Sequence, residues 1–163
     1  MDKINSLSPI ITKNSKVLIL GSIPGAKSLE KQEYYGNSRN AFWRIIYSLY
    51  DKELEENYNE KISFLKSKDI ALWDVIENCS REGSLDSNIK NENPNDFERL
   101  FKKYPNIKYV FFNGGKAYDV FKKRIGFEKF EYIKFEKLTS TSPANTIRYE
   151  KKLEMWNVVK NNQ

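Results

Sequence analysis

Two near-continuous apolar runs, Ile70–Ile76 (IALWDVI) and Lys108–Phe112 (KYVFF), constrain this chain more than any other feature. A strand that is apolar at successive positions has no face to give to water, so it belongs inside a sheet covered on both sides. Lys16–Leu20 (KVLIL) carries the same buried-strand pattern, whereas Glu131–Leu138 (EYIKFEKL) alternates and is expected at a sheet edge. The segments between these runs have helical spacing. Phe42, Ile45, Ile46 and Leu49 form an apolar stripe that Trp43, Tyr47 and Tyr50 thicken, which predicts a buried central helix started by a cap at Asn37 or Ser38. Leu54, Tyr58, Ile62 and Leu65 predict an amphipathic helix within residues 51–68. Pro94-Asn95-Asp96 opens a helix with Phe97, Leu100 and Phe101 inward, and Lys116–Arg124 and Tyr149–Lys160 are two more. Strands alternating with helices predict an α/β sandwich whose site lies beyond the carboxyl ends of the strands. No repeat, linker or low-complexity segment divides residues 1–163, so one domain is expected.

Composition removes whole classes of chemistry. A chain of 163 residues, 39% hydrophobic and 14% aromatic, can bury one core without staples. No apolar run is long enough to span a bilayer, and MDKINSLSPI lacks a basic region followed by an apolar stretch, so a cytoplasmic location is expected. Cys79 is the single cysteine, which rules out an internal disulfide and a cysteine-ligated iron–sulfur cluster. There is no histidine, hence no His-dependent triad and none of the commonest zinc sites. No metal or cofactor is expected. The formal charge of +6 is uneven: residues 99–163 hold 15 Lys/Arg against 6 Asp/Glu, whereas residues 1–98 are net acidic. The basic half is a candidate polyanion surface, and equally the ordinary solvated face of a lysine-rich protein.

Chemistry must then reside in the loops that follow the strands. Gly21-Ser22-Ile23-Pro24-Gly25 combines glycines that permit close backbone approach with a stiffening proline, so it can hold a planar ligand against main-chain amides. It is equally compatible with a tight strand-to-helix turn. Neither GxxxxGK[ST] nor GxGxxG is present, which argues against a nucleotide cofactor. Near the C-terminus a second polar loop, Ser140-Thr141-Ser142-Pro143-Ala144-Asn145, follows the last strand and can close on the first.

The spacing from the Gly-Pro loop through Tyr34-Tyr35 to Asn40-Ala41-Phe42-Trp43 resembles that of mismatch-specific uracil/thymine-DNA glycosylases. Phe112-Asn113-Gly114-Gly115-Lys116 is similar to a segment of thymine-DNA glycosylases, and Asp74-Val75-Ile76 with Arg81–Ser87 resembles the hypoxanthine-DNA glycosylase branch. With Ser142-Pro143-Ala144-Asn145 the likeness to the uracil-DNA glycosylase superfamily runs from about Val17 to Asn145. It implies a three-layer α/β/α sandwich with a short, mainly parallel four-stranded central sheet, acting as a monomer on DNA that contains a deaminated base. Departures are informative too. Mismatch-specific members carry an Asn just before the first-loop proline, where this chain has Ile23; uracil-specific members place Asp in that loop and His in the second, and neither is present. The resemblance to the hypoxanthine branch assigns the water-orienting role to Asn40, although an Asn there also reads as a helix cap.

The resemblance further implies that Tyr35 stacks on the extruded base and that the first loop, Gly21, Ser22, Ile23 and Pro24, faces that base. Asn113 can donate and accept at a purine edge, or serve as a turn residue before two glycines. In the second loop Ser140, Ser142, Pro143, Ala144 and Asn145 would grip a flanking phosphate, with Arg148 and Lys151 adding charge and Ile147 available as a plug. Asp74 is a reserve general base. No lysine occupies a catalytic motif position, so a monofunctional enzyme without strand cleavage is expected. Two other readings stay open: a catalytically silent nucleic-acid-binding domain of the same fold, and a small-molecule α/β hydrolase, for which no nucleophile–base pair is visible.

Overall fold

The computed structural model describes residues 2–162. Its main sheet has four strands, β2 (Val17–Gly21), β3 (Ile70–Asp74), β6 (Tyr109–Asn113) and β7 (Lys134–Leu138), in the order β3-β2-β6-β7. Every pairing in it is parallel, with Gly21 opposite Asp74 and Asn113 opposite Leu138. The strand that alternates, β7, does lie at an edge.

Alternation along the buried strands divides their side chains between two cores. Leu18, Leu20, Ala71, Val110 and Phe112 face one side, where α4 (Phe97–Lys103) and α5 (Gly115–Arg124) contribute Phe97, Leu100, Val120 and Phe121. Val17, Ile19, Ile70, Leu72 and Phe111 face the other, against α2 (Phe42–Leu49), α3 (Tyr58–Ser67) and α6 (Tyr149–Asn161). The expected three-layer arrangement is therefore observed. Each large side chain taken out of water contributes about 1.5–3 kcal/mol, and the aromatic groups in both layers add edge and stacked contacts.

Three details differ from the sequence reading. The run Ile70–Ile76 is not one strand: it breaks at Val75, whose amide bonds the Gly21 carbonyl (2.8 Å) and whose carbonyl accepts from Asn95 (2.8 Å). Beyond the break, β4 (Ile76–Arg81) joins β1 (Asp2–Asn5) and β5 (Lys90–Pro94) in a separate antiparallel sheet, in the order β1-β4-β5. Neither Asn37 nor Ser38 caps the central helix: the cap position is Ala41, and Asn40 just before it accepts the Phe42 amide at its Oδ1 (2.9 Å), while Asn37 closes the preceding turn onto Arg39. A short helix, α1 (Ala26–Lys31), follows the Gly-Pro loop.

Trp156 joins the helical layer to the site. Fully buried, it packs edge-on against Phe42 (5.9 Å between centroids) and donates from its indole nitrogen to the Thr139 carbonyl (2.9 Å), where the second loop begins. Trp156→Ala should lower the free energy of unfolding by about 3–5 kcal/mol in urea titrations, from the cavity and the lost hydrogen bond together. A loss below about 1 kcal/mol would mean that α6 is not anchored this way.

Candidate active site

Strands β2, β3 and β6 end at Gly21, Asp74 and Asn113, and all three residues line one cleft of about 530 Å³ at the carboxyl edge of the sheet. The chain runs from β2 outward to β3 and then crosses back to β6 on the far side of β2, which makes this edge a topological switch point. Loops diverge there and leave room for a ligand.

Backbone and side-chain bonds from the segment after β3 brace the first loop. Gly21 and Ser22 carbonyls accept the amides of Val75 (2.8 Å) and Ile76 (3.1 Å). Arg81, 2% exposed, donates to the Pro24 carbonyl (2.7 Å) and the Gly83 carbonyl (2.8 Å), and Ser84 Oγ accepts the Ala26 amide (2.9 Å). Ser22 Oγ donates to Asp86 Oδ1 at 2.7 Å. Glycine is required at Gly21 by contact, since a Cβ there would stand 2.7 Å from Asp74 Oδ1 and 3.2 Å from the Tyr35 hydroxyl. Ile23 packs into the core beneath the cleft, and no protein acceptor among the described residues takes the amides of Ser22 and Ile23.

The two adjacent tyrosines have opposite fates. Tyr34 points inward and is pinned at its hydroxyl by the Ser8 carbonyl (2.8 Å), at its amide by Tyr58 Oη (2.9 Å) and at its carbonyl by Trp43 Nε1 (2.8 Å). Tyr35 takes a left-handed backbone (φ 53°), which turns it into the cleft and stacks one ring face on Phe42 at 4.0 Å. Such strain in a non-glycine residue persists only where the surroundings hold it. Asn40 also lines the cleft and is half-buried; its Oδ1 bond to the Phe42 amide fixes the side chain and leaves the Nδ2 hydrogens and one oxygen lone pair for a ligand.

Asn113 is engaged on every side. Its Nδ2 donates to Thr141 Oγ1 (2.9 Å) and its Oδ1 accepts the Thr141 amide (2.9 Å). Thr141 in turn gives its carbonyl to the Ala41 amide (3.0 Å), beside Asn40. In the second loop the hydroxyls of Ser140 and Ser142 accept the amides of Ser142 (3.1 Å) and Ala144 (3.2 Å), and each keeps its own proton for an outside acceptor. Pro143, Ala144 and Asn145 complete this wall of the cleft. Arg148 and Lys151 are exposed at the start of α6, with Lys151 near Glu154 (3.9 Å).

A model of the uracil DNA glycosylase superfamily matches residues 9–162. The chain belongs to the uracil-DNA glycosylase superfamily. Two curated relatives, each named hypoxanthine DNA glycosylase, come from Methanosarcina barkeri and Methanosarcina acetivorans. They are 38% and 39% identical to it, over 91% and 92% of this chain and 92% and 93% of their own. The solution NMR structure of a candidate uracil DNA glycosylase from Methanosarcina acetivorans superposes with a TM-score of 0.85 at 33% identity, covering 98% of this chain and 97% of that one. The expected fold and the expected enzyme class, a DNA glycosylase, are borne out.

Within this glycosylase the structure adds four residues that sequence reasoning did not place in the site: Thr141, Arg81, Asp86 and Lys152. Lys152 is 4% exposed beneath the second loop and donates to the carbonyls of Asn145 (3.1 Å) and Ser142 (3.4 Å). Its signal was present, because Lys152, Trp156 and Val159 share the inward stripe of α6. Thr141 and Asp86 lie in segments that the sequence singles out, but their individual roles depend on partners distant in sequence. Burial lowers the proton affinity of both Arg81 and Lys152.

Asp74 is 5% exposed, and its Oδ2 has no hydrogen-bond partner among the described residues. Burial, then the charge of Asp86, pushes its carboxyl up to about 7, with Arg81 opposing. A raised value means that folding favours the protonated form. The associated stability is complete below the ordinary carboxyl value of 3.8 and is lost as pH rises through about 7. Asp74→Asn should therefore gain on the natural protein by up to about 4 kcal/mol between acid pH and about pH 8 in urea unfolding. A stability difference that does not change with pH would show that the carboxyl ionises freely.

Proposed function

We propose that this glycosylase excises a deaminated base extruded from DNA, hypoxanthine in preference to uracil, by hydrolysis and without strand cleavage. The observation that carries the reading is the meeting, in one cleft, of a fixed Asn40 amide, the Tyr35 ring and two polar loops. The names of both Methanosarcina relatives support hypoxanthine as the base.

Extrusion costs a few kcal/mol, least for a mismatched or damaged base, and stacking on Tyr35 recovers roughly 1–3 kcal/mol of it. Ile147, 42% exposed just past the second loop, is placed to fill the gap in the duplex. Inside the cleft the N-glycosidic bond breaks with its electron pair leaving on the base, and the sugar becomes cationic. Amides of Ser22 and Ile23 favour the negative charge on the departing base. Asn40 holds a water toward the sugar carbon; a neutral amide is a poor base, so it orients rather than deprotonates. The water oxygen bonds that carbon and its lost proton goes to solvent. Ser140, Ser142 and Asn145 hold the flanking phosphate, and Arg148 and Lys151 add sequence-independent attraction. The same reading has the protein acting as a cytoplasmic monomer of one domain, without metal, iron–sulfur cluster or other cofactor.

Duplexes carrying inosine, uracil or thymine opposite each base, treated with protein and then alkali, test this directly. The natural protein should leave alkali-labile sites at inosine, and Asn40→Ala should slow single-turnover release by at least about a hundredfold. Asn40→Ala also removes the acceptor of the first α2 amide, at about 1 kcal/mol, so its folding is checked by circular dichroism. Binding with no release from any duplex would identify a silent DNA-binding domain instead. In a separate measurement, Lys151→Ala should weaken binding equally for all sequences and reduce the slope of log affinity against log salt by about one.

A further inference from the structure

A buried carboxyl faces the base cleft with no protein group to satisfy it. Asp74 ends β3 opposite Gly21, where the missing Cβ lets its Oδ1 lie against the strand end, and its Oδ2 is buried and unpartnered among the described residues. Native proteins seldom leave such an atom without a purpose. Among the described residues Asp74 forms no ion pair, and the one cation that favours its charge, Arg81, is outweighed by burial and by Asp86. From β4, Arg81 directs two donors to the carbonyls of Pro24 and Gly83. From the segment after β4, Asp86 brings a second carboxylate, held by Ser22 Oγ. From the turn before α2, Tyr34 donates its hydroxyl to the Ser8 carbonyl, and the Tyr35 hydroxyl lies on the same side of Gly21 as Asp74 Oδ1. A carboxyl with a repelling neighbour and no dedicated cation fits this position when it carries its proton.

We propose that Asp74 is the general acid of the reaction, presenting its carboxyl proton to the extruded base and releasing it to that base as the glycosidic bond breaks. This rests on the glycosylase reading and extends it to a group for which that reading has no use. In the step, the bond between the sugar carbon and the base nitrogen breaks, and its electron pair moves into the base ring. The Asp74 O–H bond breaks heterolytically and its proton joins a basic atom of the ring, so the base departs neutral. Water adds to the sugar carbon, and its surplus proton, passing through solvent, restores the carboxyl. No oxidant, reductant or metal enters the balance. A purine, with several ring nitrogens able to take a proton, gains most from such an acid.

The test is the pH dependence of single-turnover excision from an inosine duplex at saturating protein, for the natural chain and for Asp74→Asn. The natural protein should be fastest below about pH 7 and lose close to tenfold in rate for each pH unit above it, following the protonated fraction. Asp74→Asn keeps the shape and a hydrogen-bond donor but has no proton to transfer. It should be slower by about 10²–10⁴-fold at pH 6 and show a flat profile. A flat profile for the natural protein overturns the proposal even if Asp74→Asn is inactive or fails to fold, and so does an Asp74→Asn variant at the natural rate. Both of those results leave the glycosylase reading standing. Absence of release from every duplex by the natural protein removes that reading and this inference together.

Discussion

The reciprocal pair between Asn113 and Thr141 holds the site together. One amide side chain at the end of a central strand accepts the Thr141 amide and donates to its hydroxyl, while Thr141 passes its carbonyl to Ala41 at the start of α2. Three elements remote in sequence, β6, the loop after β7 and the helix carrying Asn40, are thereby locked within hydrogen-bond distance of one another. Both residues are buried, so each bond contributes about 0.5–1.5 kcal/mol when made and costs more if one partner is removed and the other left unsatisfied. The close approach also needs Gly114, whose φ of 98° suits glycine and whose missing Cβ would lie 3.2 Å from Ser140 Cβ. Lys152 and Trp156 support the same loop from below through three of its carbonyls.

What the sequence revealed and what it hid follow from the range of the interactions concerned. The buried strands and the α2 stripe are legible because each is encoded by neighbours within a few residues, and the loops at the strand ends were legible with them. The break at Val75 was not, because apolar residues resume on both sides of Asp74 and the backbone bond made there goes to Asn95, twenty residues later. Strands β1 and β5, DKIN and KNENP, are too short and polar to carry a period; they are strands because β4 offers them its backbone. Asn113 illustrates the same limit within the site. Asparagine before two glycines reads as a turn or as a base-reading group, and its bonds to Thr141 belong to a residue 28 positions away.

Sequence reasoning treated capping and water orientation at Asn40 as alternatives, and its one hydrogen bond makes the two compatible. The Asn40 oxygen accepts the first amide of α2, and that bond holds its side chain against the cleft. Capping is thus the means by which the side chain is oriented, since a long-range scaffold fixes the helix and the helix amide fixes the rotamer. Tyr35 follows the same logic at the backbone level. Its left-handed φ is imposed by Tyr34, pinned at hydroxyl, amide and carbonyl, and the result is a ring turned outward from a buried pair.

The absence of histidine gives the electrostatics of this cleft their character. With no imidazole to donate a proton near neutrality, a group that does so must be a carboxyl raised from its ordinary range or a lysine lowered from its own. The buried lysine, Lys152, is committed to loop carbonyls. The buried arginine, Arg81, directs two of its donors to carbonyls of the loops at Pro24 and Gly83. That commitment has two effects at once. It stiffens the first loop of the cleft, and it withholds from Asp74 the close ion pair that would keep a carboxyl ionised. Loop rigidity and the proton on Asp74 are therefore consequences of one choice of hydrogen-bond partners, and a substitution that freed Arg81 to pair with Asp74 would alter both.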